Sequence, residues 1–185
     1  MLEMILIQLS NSKKTVDEKM ESFLEFCHLK ISKISLRECI IALEYFKNGQ
    51  KLRFFGKIQK GNNNLVRDIR NMAWDLYHIS DLERRMSDFN EDYNEKFYLP
   101  AFLTFDKRLI EITELYSLNA IAFSKKGELL PAVNIDRLIN SISIQNIFGK
   151  YFSEEFKVIR RINMGNVDID QIIKRLEYQI EEISK

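Results

Sequence analysis

The sequence predicts an α/β fold: a small parallel sheet with helices on both faces, followed by C-terminal helices. Three observations carry that prediction. The apolar run Ala101-Phe102-Leu103 ends in Thr104-Phe105-Asp106 and passes at once into the amphipathic pattern Lys107-Arg108-Leu109-Ile110, which reads as a buried strand feeding a helix. Ile31-Ser32-Lys33-Ile34 alternates β-branched and polar residues between two helical patterns. Residues 119–123 form a further short run of strand character before the turn Lys125-Lys126-Gly127. Helices alternating with short strands favour a parallel sheet covered on both sides.

The bulk properties narrow the class. A chain of 185 residues with 45% hydrophobic and 30% charged side chains is long enough, and mixed enough, to be a soluble globular domain with a real core. A formal net charge of +1 supplies no global pull toward nucleic acid or membrane, so any such pull must be local. No apolar run approaches the ~20 residues that span a bilayer. The first ten residues lack a basic segment and a small-residue cleavage site, so no signal peptide is expected. Cys27 and Cys39 lie at no metal-ligand or redox spacing, which implies a reduced, cytoplasmic setting. Only His28 and His78 are available for imidazole chemistry, so the carboxylates are the candidate chemists.

In chain order, residues 1–10 fit either a short strand over 4–7 or a helix with Leu2, Ile5, Leu6 and Leu9 on one face; the helix is preferred. Thr15 and Glu18 stand at capping-box spacing before the stripe Met20, Phe23, Leu24, Cys27. Ser35 and Glu38 repeat that spacing before a helix apolar over much of its girth, which Gly49 stops. Residues 47–70 carry seven cations against one acid, Asp68, with Phe54 and Phe55 interleaved. Such a segment suits either a phosphate backbone or a solvated loop. The long helix over residues 64–89 places Leu65, Ile69, Met72, Leu76, Ile79 and Met86 on one face, with Asp75 inside that arc, between Met86 and Leu82, and Trp74 opposite. An acid in an apolar stripe is costly unless a metal, an arginine or a helix terminus compensates it. After an acid-rich connection at 87–95 and the strand and helix around Asp106, Asn134 is expected to cap a helix carrying Ile135, Leu138 and Ile139. Two C-terminal helices follow, over 153–163 and 168–184. The natural division is a domain at 1–150 and a helical extension at 151–185.

Three acids fall at comparable places: Glu38 after one strand, Asp75 on the long helix, and Asp106 after another strand. Each also has a structural role open to it, Glu38 and Asp106 as caps above all. The segments ISKISLRECIIALEYF, NMAWDLYHISDL and LPAFLTFDKRLIEI resemble the second, third and fourth acidic motifs of PIN-domain nucleases. The resemblance implies an α/β/α sandwich and a metal-dependent endoribonuclease, many relatives being toxins of bacterial toxin–antitoxin pairs. It implies that Glu38, Asp75 and Asp106 hold Mg²⁺ or Mn²⁺, that Thr104 orients the last of them, and that the ions activate water on a scissile phosphate. Lys51, Arg53, Lys57 and Lys60 would then position RNA. The family's first acid is not found; if residues 4–7 were the first strand, Gln8 would stand near its place. The alternative is a PIN-like module without chemistry, binding RNA, an antitoxin, another protein or a second copy. In that reading Ile172 and Leu176 of the last helix carry the contact.

Overall fold

The computed structural model describes residues 1–11, 13–87, 102–116, 118–123, 129–133 and 139–184. Among them are eight α-helices: α1 (Leu2–Ser10), α2 (Val16–Phe26), α3 (Leu36–Asn48), α4 (Leu65–Ser87), α5 (Lys107–Glu114), α6 (Ile142–Tyr151), α7 (Glu154–Asn163) and α8 (Ile169–Ser184). One two-stranded sheet, β1 (Leu118–Phe123) with β2 (Leu129–Val133), pairs antiparallel. The expected parallel sheet and α/β/α sandwich are therefore corrected to a helical fold carrying one hairpin. The resemblance to PIN-domain nucleases, whose fold is a parallel sheet, falls with them.

The reasons are local. The chain around 31–34 does not turn into a strand. Helix α2 instead runs on as a π-helical turn, Cys27–Ile31, and ends on Ser32 in the left-handed region at φ 54. β-branched alternation without a partner strand has nothing to pair with, and continuing the helix satisfies the backbone at once. Residues 102–106 adopt no regular secondary structure, and Leu103 and Phe105 are exposed, so this is no buried strand. Short apolar runs are the pattern least able to separate strand from irregular chain. The strand expected at 119–123 is present within β1, paired antiparallel. The turn at 125–127, residues 88–95 of the acid-rich connection, Ala101 and the helix start at Asn134 lie outside the described residues.

Helix periodicity was the reliable signal. α1 is a helix, and it buries Met4, Ile5 and Ile7. Thr15 and Glu18 form the expected reciprocal capping box on α2. Ser35 does not: it precedes α3, but its side chain makes no cap hydrogen bond. α3 is apolar around its circumference because it runs through the centre of the core, burying Cys39 to Leu43, Tyr45 and Phe46. It stops at Gly49, whose φ of 56 and ψ of −130 favour a residue without a Cβ.

A single hydrophobic cluster joins these elements, from Met4 and Ile5 of α1 through Phe23, Leu43 and Tyr45 to Leu65 and Ile69 of α4, Ile112 of α5 and Ile180 of α8. Phe54 and Phe55, on the 3₁₀ turn Arg53–Phe55, point into it; Phe55 lies against Tyr45 with ring centroids 4.3 Å apart. Asn62 organises the start of α4. Its Oδ1 accepts from the Asn64 N–H, and its Nδ2 donates to Asp68. The neighbouring Gly61 N–H donates to the Ser184 carbonyl and ties that corner to the end of α8.

Candidate functional site

The three carboxylates singled out in the sequence sit in ordinary helical settings. Asp106 is the N-cap of α5. Its Oδ1 accepts from the Arg108 backbone N–H at 2.8 Å, and its Oδ2 accepts from the Arg108 guanidinium at 2.6 Å. Those contacts hold its carboxyl well below the usual carboxylate range, at about 2. The Thr104 hydroxyl accepts from the Asp106 backbone N–H at 3.1 Å.

Asp75 is exposed rather than inside the apolar stripe, because α4 is fully buried only along its first half, at Leu65, Ile69 and Met72. It acts electrostatically on Arg108, so the structure brings Asp75 and Asp106 to one arginine. Glu38 lies elsewhere, exposed on the first turn of α3 beside Arg37. Among the described residues, no group of three or more histidine, cysteine and acidic side chains is placed to hold a metal ion. Gln8, near the place of the missing acid, accepts a hydrogen bond from Lys19, a buried lysine of α2.

The basic segment is exposed as expected at Lys51, Arg53, Lys57 and Lys60. Its aromatics are not: Phe54 and Phe55 are core residues. They cannot stack on bases without unfolding the turn that carries them.

What the fold does build is a cleft of about 1260 Å³ between α1, α2, the first turn of α3, α4 and α8. Leu2, Ile69, Ile172 and Leu176 line it, and Trp74, Tyr77 and Ile173 stand at its exposed edge. Trp74 is 60% exposed and Tyr77 53%, with ring centroids 5.4 Å apart in an edge-to-face pair that also meets His78. An exposed tryptophan and tyrosine on a cleft wall are a concentrated source of binding energy. Around the apolar floor stands a charged rim. Arg37, buried, donates to Ser80 Oγ at 2.7 Å and stacks 5.3 Å from the Tyr116 ring centroid. Arg70 of α4 and Glu177 of α8 form a two-point ion pair at 2.6 and 2.7 Å, which fixes the spacing of the two walls. Glu3 also lines the cleft, and burial raises its carboxyl above the ordinary value while Arg175 works against that shift.

No family model, no curated protein and no solved structure matches the chain. The cleft's chemistry must therefore be read from its own residues.

Cys27 and Cys39 both line it, but burial pushes the Cys27 thiol up to about 12 and raises the Cys39 thiol as well. Both stay protonated at neutral pH, which removes the thiolate that nucleophilic catalysis requires. An apolar floor, an aromatic edge and an arginine-rich rim together make a surface built for binding. Sequence reading missed Trp74 and Tyr77, although their signal was present. They are an aromatic pair at i, i+3 on the face of α4 opposite its core stripe, where solvation favours polar side chains.

The Arg70–Glu177 pair gives the first prediction. Glu177→Ala is expected to destabilise the chain by about 1 kcal/mol, since Glu177 is nearly buried while Arg70 remains half in water. Urea unfolding of wild type and variant measures it, with the Arg70→Ala, Glu177→Ala double variant expected to lose less than the sum of the two single variants.

Proposed function

We propose that the chain is a helical binding module whose cleft takes an amphipathic helix from a protein partner. The observation that carries this reading is the exposed Trp74–Tyr77 pair on the wall of an open, apolar-floored cleft. Size favours a peptide over a small ligand, because small-molecule pockets run to about 300–1,000 Å³. A helix about 10 Å across would fill the 1260 Å³ with roughly 16 Å of its length, about three turns. Composition agrees: tryptophan, tyrosine and arginine are the residues that dominate protein interfaces, here set inside a charged rim. Among the described residues, no helix is long and apolar enough to cross a membrane.

Selection from a library of helical peptides tests the reading. The expected consensus has apolar residues at i, i+3 or i+4, and i+7. Its affinity should fall at least tenfold for Trp74→Ala. Selected peptides without helical spacing, or with equal affinity for Trp74→Ala, would contradict the proposal.

A second reading rests on the four exposed cations Lys51, Arg53, Lys57 and Lys60, which suit a phosphate backbone without stacking. If they bind single-stranded RNA, Lys57→Ala with Lys60→Ala should reduce the dependence of log affinity on log salt by about 0.7 per lysine. An unchanged slope rejects that surface. The same RNA, incubated with Mn²⁺, tests the hydrolysis expected from the sequence. Cleavage that Asp75→Ala and Asp106→Ala abolish would assign those acids to chemistry.

A further inference from the structure

A different cluster of buried polar groups lies where α2 meets α6 and α7. His28, on the π-helical turn, is buried, with its ring 4.6 Å from Phe156 of α7 and 6.1 Å from Tyr151 of α6. Its Nδ1 is buried without a hydrogen-bond partner among the described residues. α7 is held by little else. Of its ten residues only Arg160 is buried outright, with Nη1 donating to the Tyr151 carbonyl at 2.8 Å, while Ile162 is 72% exposed. A helix anchored through so few side chains belongs to the low-stability end of a fold.

We propose that His28 is a pH-sensitive latch, keeping α7 docked when its imidazole is neutral and releasing α7 in mild acid. A neutral ring packs between Phe156 and Tyr151 without needing a partner at Nδ1. Protonation places an N–H⁺ there, in a cage of rings and beside the Arg160 guanidinium, with no acceptor to receive it. Burial first, and Arg160 second, hold the His28 imidazolium's pKa below the ordinary histidine value.

The surrounding charges do not reverse this. From α6, Lys150 lies 4.9 Å from the Tyr151 ring centroid and pairs with Glu21 of α2 at 2.9 Å. Tyr151 has its phenol raised by burial and remains neutral, with Glu25 of α2 also acting on it.

The sign follows. The released state, with an ordinary histidine near pH ~6.5, binds a proton that the docked state resists. Docking is therefore fully favourable above that pH, and weakens by up to about tenfold per pH unit below it until the docked His28 itself protonates.

The chain has only two histidines, so NMR titration of the full chain resolves the His28 ring signals. His28 is expected to titrate below the ordinary histidine value of about 6.5. Hydrogen-exchange protection of α7 amides, corrected for intrinsic rate, should fall by up to about tenfold per pH unit below pH ~6.5 while α3 amides hold. His28→Phe should keep α7 protected across the same range. The proposal is overturned if His28 titrates at or above pH ~6.5, or if α7 keeps its protection through the titration. It is also overturned if His28→Phe folds and loses α7 protection with the wild-type pH profile. The wild-type titration decides alone should His28→Phe fail to fold.

Discussion

Phe55→Ala should cost about 3–5 kcal/mol of folding stability, the usual range for truncating a fully buried phenylalanine. Phe55 has no exposed surface, lies tilted against Tyr45 and meets Phe54 edge to face, so the lost ring leaves a cavity at the junction of α3, the 3₁₀ turn Arg53–Phe55 and α5. For a chain of this size that amounts to a fall in Tm of roughly 10 °C. The experiment separates two accounts of the basic segment. If Phe54 and Phe55 were base-stacking residues on a loop, alanine would spare the fold and weaken RNA binding. In the fold described, alanine damages the fold first, and the exposed lysines around it are free of that constraint. Thermal unfolding with a loss below about 1 kcal/mol would contradict the placement of Phe55.

The opposite pattern is expected at the cleft. Ile173→Glu places a carboxylate on the α8 wall facing Trp74, at a side chain already 38% exposed. Folding stability should change by no more than about 1 kcal/mol, because surface positions tolerate such changes. Affinity for a cleft-binding helix should fall by about 2 kcal/mol or more, roughly 30-fold, because a charge would be desolvated against an apolar partner. Trp74 is the chain's one tryptophan, so its emission reports the cleft directly. A bound apolar helix should shift that emission to the blue in wild type and leave it unmoved in Ile173→Glu. A variant that binds as tightly as wild type would move the functional surface away from α8.

Much of the helical frame was legible, and the reasons are specific. Thr15 and Glu18 announce α2 through chemistry that acts within four residues, and the stripes of α4 and α8 repeat long enough to outweigh chance. Ile31–Ile34 and Ala101–Thr104 misled because strand pairing is not a local property. Four apolar or β-branched residues become a strand only when another strand lies beside them, and here the continuation of α2 and an irregular segment at 102–104 took their place. Asp106 shows the same limit at the level of the site. One sequence pattern serves a cap and a metal ligand equally well, and the structure supplies the Arg108 contacts that fill the cap role. Asp75 looked costly because a full stripe was assumed to be buried, whereas beyond Met72 the stripe residues Leu76 and Ile79 are only partly buried and Asp75 itself is exposed. The cleft was hidden for a different reason. It is the space left between α1, α2, α3, α4 and α8, and no single segment encodes it, although Trp74 and Tyr77 on a polar helix face mark one wall.

The central claim is that the cleft, rather than the carboxylates or the basic segment, is where this protein meets its partner. Amide chemical-shift mapping of the full chain with a library-selected helical peptide tests it most directly. The expected shifts cluster on α1, the first turn of α3, α4 around Trp74 and Tyr77, and α8 from Ile169 to Leu176, with little change at Lys51–Lys60 or around Asp106. Shifts centred on those last two regions, with Trp74 and Ile173 unmoved, would contradict it.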